Sequence, residues 1–186
     1  DKPGPGRFRE FTQFDLDSVG VPSEIADTEI IAGMCDTLTA LACGPFRVRF
    51  SSRRVLNLLM PLAGIDQGLA ADVFRVLDKL DKIGIEKIRK ELTTGYKDDS
   101  GDTIPGVGLT VEQVALIEKF LAIQGATRDN ILAGLRDVFA GVEGSAEAID
   151  ELSRISGHLA SLGYHEDRAV IDLSIARGLA YYTGPV

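Results

Sequence analysis

The sequence has few of the residues that build metal sites, and it has no segment of the length that crosses a membrane. Only two cysteines and two histidines occur among 186 residues, and none has a second ligand at the spacing of a zinc site. No apolar run approaches the roughly 18 residues that a membrane-spanning helix needs, and no signal peptide is recognisable. We therefore expect no bound structural metal, no membrane association and a cytoplasmic location.

The two cysteines, Cys35 and Cys43, fall in an apolar stretch that is predicted to be helical. Such a setting favours buried free thiols over a disulfide. Free thiols are typical of proteins in a reducing compartment.

Basic charge is also scarce, because the formal net charge is −8. Proteins that bind nucleic acid through its phosphates usually carry a basic surface, and this chain as a whole does not. Local positive charge on an acidic body favours a small anion site instead. The arginines that cluster along the sequence are Arg7 and Arg9, Arg47 and Arg49, and Arg53 and Arg54.

The remaining composition is that of an ordinary globular protein, with 45% hydrophobic and 26% charged residues. The length suffices for one core, or for one core with a small appended domain. The chain begins and ends within recognisable patterns, so we expect it to be a fragment of a longer protein.

Strand patterns occur near the two ends of the chain. Residues Gly6 to Val19 alternate between an apolar face and a polar face, which predicts a strand whose antiparallel partner would precede residue 1. Residues 46–51 predict a second strand, with Phe46, Val48 and Phe50 directed inward. The segments "RAVIDLSI" and "LAYYTGPV" predict further strands after Gly163.

Helical patterns dominate the rest of the sequence. Residues 23–42 predict one helix, and residues 51–64 a short helix ended by Pro61 and Gly64. Residues 66–162 predict three to five packed helices, interrupted by a polar loop, "YKDDSGDTIPGVG", that we expect to be mobile. The resulting fold class is α+β, with a core formed by residues 1–65 and 151–186 and a helical insertion at 66–150.

The polar face of the first strand is one candidate site. Gln13 and Asp17 would lie ~13 Å apart along a strand and could hold opposite parts of an amino-acid-sized molecule. Arg7 and Arg9 precede them, and arginine binds phosphate or carboxylate through two parallel hydrogen bonds. The alternative is that this face only contacts water, as in many half-buried strands.

The second candidate is "ARGLAYYTG", at residues 176–184. An Arg-Gly pair followed by two tyrosines and a glycine turn is poorly explained as core packing. The alternative is an ordinary strand that begins with packing tyrosines.

The two candidate segments together resemble a known family. "GRFREFTQFDLDSVG" resembles motif 2 of class II aminoacyl-tRNA synthetases, in the form found in histidyl-tRNA synthetases. "RGLAYYTGPV" resembles the histidine-specific motif of that family, usually written R-G-L-D-Y-Y-T-G. The resemblance implies part of the antiparallel class II catalytic sheet, interrupted by a helical insertion domain.

The resemblance also implies a reaction and its partners. Histidine and ATP, accompanied by Mg²⁺, would form histidyl-adenylate and pyrophosphate, and the histidine would then pass to the 3′ end of tRNA(His). Residue by residue, the implied ATP contacts are Asp1 near adenine, Arg7 at a phosphate, and Arg9. The full-length enzyme would be a homodimer.

The implied histidine site draws on both segments. Gln13 would bind the α-amino end, and Asp17 would accept a hydrogen bond from an imidazole nitrogen. Tyr181 and Tyr182 would close the imidazole pocket. Arg177, the one implied catalytic residue, would bind the reacting carboxylate and the α-phosphate.

The sequence departs from the family pattern in ways that affect the expected activity. Ala180 stands where the family's motif has an acid. Motifs 1 and 3 and the anticodon-binding domain are not recognisable, so we expect the fragment alone to be inactive. The alternative function is that of a non-catalytic, synthetase-like regulatory subunit that binds histidine.

Overall fold

The structure is a computed structural model that describes residues 3–5, 8–98, 100–176 and 183–186. It is an α+β fold, as expected. The strands are β1 (Val48–Phe50), β2 (Gly95–Lys97), β3 (Thr103–Pro105) and β4 (Ala169–Ile171). The helices are α1 (Glu24–Ala40), α2 (Arg53–Asn57), α3 (Leu59–Ala63), α4 (Ala70–Leu77), α5 (Leu80–Leu92), α6 (Val111–Leu121), α7 (Arg128–Val138) and α8 (Ser145–Ser161).

Strand β1 lies between two other segments of the chain. On one side it pairs in parallel with β4, with Val48 opposite Ala169 and Phe50 opposite Ile171. On its other side, the end of the strand bonds to residues 184–186, which run antiparallel to it. Val48 and Phe50 are buried while Arg49 is exposed, which confirms the alternation predicted for this strand.

The strand predicted over Gly6–Val19 is wrong for residues 8–19, which have no regular secondary structure and are exposed throughout. Phe8, Phe11 and Phe14 each expose 68% or more of their surface. A period of two supplies a suitable apolar face, but a strand also needs a neighbour that satisfies its backbone hydrogen bonds. No strand in the described ranges pairs with this segment.

Side-chain caps mark where several helices begin. Ser23 accepts a hydrogen bond from the backbone of Ile25 at the start of α1. A capping box of Thr110 and Gln113 opens α6, and Thr127 forms a second one with Asn130 at α7. These caps satisfy backbone donors that a helix leaves without partners.

The short helix predicted over residues 51–64 is two helices, α2 and α3, which meet at Leu58. Gly64 ends α3 as predicted, in a left-handed conformation. Pro61 does not end a helix. It lies in the first turn of α3, where a missing N–H costs no helical hydrogen bond.

The segment predicted as a mobile polar loop contains an antiparallel hairpin, in which Tyr96 of β2 pairs with Ile104 of β3. The hairpin adds two strands to a stretch for which only helices and a loop were predicted. The Asp98 carboxylate stabilises the hairpin's turn by accepting hydrogen bonds from the backbone of Ser100 (3.0 Å) and Asp102 (2.9 Å). The Gly and Asp residues between the two strands predict a turn or loop, and they dominate the pattern of this segment.

The buried apolar side chains form one cluster that reaches from Cys35 of α1 to Leu159 of α8. Cys35 is a buried free thiol, as predicted, but Cys43 lies beyond the end of α1 and is exposed. None of the helices in the described ranges is long and apolar enough to span a membrane. The division into a core and an insertion at residues 66–150 stays a prediction.

Candidate functional site

The predicted site residues fall into two groups. Arg9, Gln13 and Asp17 are described, and all three are exposed on the irregular segment 8–19. The Gln13 amide donates a hydrogen bond to the Asp15 carboxylate at 3.2 Å. The predicted residues outside the described ranges are Asp1, Arg7, Arg177, Tyr181 and Tyr182.

The described residues on either side of the predicted histidine motif are bonded to the same strand end. On one side, the backbone N–H of Asp172 donates to the carbonyl of Phe50 at 2.8 Å. On the other, Ser51 and Val186 exchange backbone hydrogen bonds of 2.8 and 3.0 Å. The end of β1 therefore holds both flanks of residues 177–182.

A polar cluster fixes the first of these flanks. Arg49 of β1 donates through Nε to Asp172 and through a terminal nitrogen to the Ser174 hydroxyl at 2.9 Å. The other carboxylate oxygen of Asp172 accepts from the Ser174 backbone N–H at 2.9 Å and from its hydroxyl at 2.7 Å. The second terminal nitrogen of Arg49 lies 3.3 Å from Asp81 at the start of α5.

The cluster keeps Asp172 in its charged form. Partial burial alone would raise the pKa of this carboxyl, but the hydrogen bonds from Arg49 and Ser174 outweigh it and lower the pKa below its ordinary value. The same bond to Asp172 raises the pKa of Arg49. Asp172 is three-quarters buried whereas Asp81 exposes 66% of its side chain, so Asp172 is the stronger partner of Arg49.

An apolar cleft of about 380 Å³ lies between α1 and β1. Its walls include Ile31 and Met34 of α1, Phe50 of β1, and Ile175 and Val186 from the two flanks. The volume is in the range of small-molecule sites. Neither Gln13 nor Asp17 lines it, so the described residues do not form the complete histidine site that the sequence predicts.

Three of the four arginines at 47–54 contact other groups of this chain. Arg49 is bonded to carboxylates of this chain, and Arg54 lies 3.3 Å from Glu151 of α8. The guanidinium of Arg53 stacks over the ring of Phe74, 4.1 Å from its centre. Sequence reasoning counted these positive charges but could not locate the partners on distant elements.

The part of the chain that the structure describes contains no group of three histidine, cysteine or acidic side chains arranged to hold a metal ion. Asp172 and Ser174, the two residues of the turn that Arg49 binds, were not identified from the sequence. An Asp followed two residues later by Ser is a turn signal that could have located them.

Comparison with known proteins identifies the family. A family model described as histidyl-tRNA synthetase matches residues 1–186, the whole chain. The chain belongs to the histidyl-tRNA synthetase family.

Individual relatives agree with that assignment. The chain is 45% identical over 189 residues to the histidine–tRNA ligase of Paracoccus denitrificans, and 43% identical over 189 residues to that of Ruegeria pomeroyi. Both alignments cover 100% of this chain and 38% of the relative. The chain thus spans little more than a third of the length of these relatives.

Solved structures show the same relationship. The crystal structure of histidyl-tRNA synthetase from Nostoc sp. PCC 7120 superposes with a TM-score of 0.75 at 28% identity, over 88% of this chain and 36% of that one. A structure from Bacillus halodurans C, described as an ATP phosphoribosyltransferase regulatory subunit/histidyl-tRNA synthetase, has a TM-score of 0.66 at 23% identity. It covers 89% of this chain and 39% of that one, and it shows a shared fold.

Proposed function

We propose that this chain is part of a longer enzyme that activates histidine with ATP and transfers it to the 3′ end of tRNA(His). The observation that carries the proposal is the family match over every residue of the chain. The anchoring of residues 172–174 and 184–186 to the end of β1 supports it, because both flanks of the Arg177–Tyr182 motif then have fixed positions.

The proposed site residues act by placing the substrates rather than by forming a covalent intermediate. Arg177 binds the histidine carboxylate and the α-phosphate of ATP, so that the carboxylate oxygen attacks phosphorus and pyrophosphate leaves on the opposite side. An arginine suits this position because it keeps its charge and its two N–H groups span two oxygens. It stabilises negative charge where that charge develops.

Selection of histidine requires a partner for each ring nitrogen. In the proposal Asp17 accepts from one imidazole nitrogen, Tyr182 bonds the other, and Tyr181 packs beside it. Gln13 binds the α-amino group. A substrate without these nitrogens would leave buried polar groups unpaired, which disfavours its binding.

ATP, with Mg²⁺, is proposed to contact Asp1, Arg7 and Arg9. We also propose that segment 8–19 becomes a strand of an antiparallel class II sheet when other parts of a longer protein lie beside it. The exposed rings of Phe8 and Phe14 support this, since they would share the apolar face of that strand and could be buried there. The core at 1–65 and 151–186, the insertion at 66–150, a homodimer and a cytoplasmic location belong to the same proposal.

The test is histidine-dependent exchange of pyrophosphate into ATP by the full-length protein. We expect Arg177→Ala to lower the exchange rate by about 100-fold or more, by analogy with the loss of one preorganised charge-stabilising group. Histidine binding should remain measurable. The matched control is Arg136→Ala, which removes an exposed arginine paired with Asp150 at 3.4 Å. Equal exchange rates in both variants would remove Arg177 from the catalytic role.

The second candidate is a regulatory subunit that binds histidine without activating it. Ala180, which replaces the acid of the family motif, favours this candidate. The Arg-Gly-Leu and Tyr-Tyr residues around it weigh against it, because a subunit that only binds histidine has no use for the catalytic arginine. Histidine binding with no pyrophosphate exchange by the full-length protein would identify this candidate.

A further inference from the structure

Among the described hydrogen bonds, Arg49 is the one residue of β1 whose side chain bonds to the turn at 172–174. It donates to Asp172 and to Ser174, two residues of the turn that leads into the Arg177–Tyr182 motif. The two carboxylate oxygens of Asp172 accept hydrogen bonds from different groups. One oxygen closes the turn by accepting from Ser174, and the other receives the guanidinium.

We propose that Arg49 is a positioning residue for histidine binding, because it fixes the turn at 172–174 from which the Arg177–Tyr182 motif extends. The inference rests on the proposed function. It adds a residue whose proposed action on histidine binding is exerted through the turn.

The length of the connecting chain gives the inference its physical basis. Only Ile175 and Ala176 separate Ser174 from the start of the motif in the sequence. A shift of the turn therefore carries over to the start of the motif. Leu173 packs in the apolar core, and the backbone bond from Asp172 to Phe50 ties the turn to β1. Among the described hydrogen bonds, those from Arg49 to Asp172 and Ser174 add two further points that define its orientation.

The chemistry of the cluster requires arginine. Its planar group donates in fixed directions to Asp172, Ser174 and Asp81 at once. A lysine at this position could contact Asp172 but could not hold the same set of acceptors in one plane. The contact with Asp81 is exposed and contributes little to the position of the turn.

The experiment measures pyrophosphate exchange by the full-length protein as a function of histidine and of ATP concentration. We expect Arg49→Ala to raise the KM for histidine about ten- to 100-fold, as small displacements of binding groups do. The KM for ATP should rise by a smaller factor, because Asp1, Arg7 and Arg9 also contact ATP in the proposal, and Arg49→Lys should fall between wild type and Arg49→Ala. Asp81→Asn is the matched control, since it removes the exposed partner of the same guanidinium and should leave both KM values unchanged.

The split between the two KM values separates positioning from a general loss of structure. A merely destabilising substitution reduces the fraction of active enzyme, which lowers kcat and leaves both KM values as they were. If Arg49→Ala does not fold, Arg49→Lys and Ser174→Ala replace it, because each removes part of the cluster with little change in volume.

The outcomes distinguish the two levels of the proposal. An active wild-type enzyme whose histidine KM is unchanged in Arg49→Ala, or in both replacement variants, overturns the positioning role and leaves the proposed function standing. A wild-type protein without histidine-dependent exchange overturns the proposed function, and the positioning role with it.

Discussion

Arg128 lies between α7, α8 and β4 and is 3% exposed. Its guanidinium donates to the Ser156 hydroxyl at 3.0 Å, to the Ala169 carbonyl at 2.9 Å and to the Tyr164 carbonyl at 3.0 Å. Burying a charge is costly unless it is hydrogen-bonded, and here neutral acceptors from three segments surround it. The residue thereby joins the helices to the strand that precedes the histidine motif.

Replacing Arg128 should therefore destabilise the protein strongly. Arg128→Met leaves the buried Ala169 carbonyl, the buried Ser156 hydroxyl and the partly buried Tyr164 carbonyl without this donor, and each buried group costs about 1–3 kcal/mol. We expect the free energy of unfolding, measured by urea denaturation, to fall by roughly 3 kcal/mol or more. The control Arg136→Met removes an exposed arginine from the same helix and should change it by less than about 0.5 kcal/mol. Equal losses would contradict this description of Arg128.

The sequence could not have revealed the role of Arg128. It is the first residue of α7 after the Thr127 cap, a position that is usually solvated, and its acceptors lie 28 to 41 residues later. Arg49 shows the same difficulty, because its partner Asp172 is 123 residues away. Local patterns identify which residues can form a helix or a strand, but they do not identify long-range polar partners.

At the scale of elements, prediction succeeded where a segment carries its own stop and start signals. The starts of α1 and α6 follow from Ser23 and from the capping box of Thr110 and Gln113. Prediction failed where a segment depends on its neighbours. Residues 8–19 have the alternation of a strand but no partner strand in the described ranges, and the hairpin of β2 and β3 was hidden by its Gly and Asp residues.

The hairpin offers a test of close backbone packing. Gly95 and Gly101 both have positive φ values, of 79° and 89°. A Cβ on Gly95 would lie 2.3 Å from the carbonyl oxygen of Ile104, whereas a Cβ on Gly101 would meet nothing within 4 Å. A side chain at either position would adopt an unfavourable positive φ, but only a side chain at Gly95 would also collide with a neighbouring strand.

Alanine substitutions at these two glycines separate the two effects. Gly101→Ala should lower the free energy of unfolding by about 1–2 kcal/mol, the cost of a left-handed alanine. Gly95→Ala should cost at least about 1 kcal/mol more, because the β2–β3 pairing must open to admit the methyl group. Urea denaturation of both variants measures the difference. A loss at Gly95 no larger than that at Gly101 would show that the two strands separate without cost.

At the scale of the whole molecule, one apolar core extends through the helices and underlies the β1–β4 pair. The sequence was sufficient to predict the fold class and the family, because the family motifs are contiguous stretches. It was not sufficient to predict how the site is assembled. Arg9, Gln13 and Asp17 lie on an exposed segment, and the residues expected to meet them, Arg177 to Tyr182, lie outside the described ranges.

The proposed function requires that segment 8–19 and residues 177–182 bind the same histidine molecule. Isothermal titration of histidine into the full-length protein measures the affinity directly, with Asp17→Asn and Tyr182→Phe compared with wild type. We predict that the wild-type protein binds histidine and that each variant binds about 1–3 kcal/mol more weakly, with unchanged thermal unfolding. Failure of the wild-type protein to bind histidine, or wild-type affinity in both variants, would contradict the account.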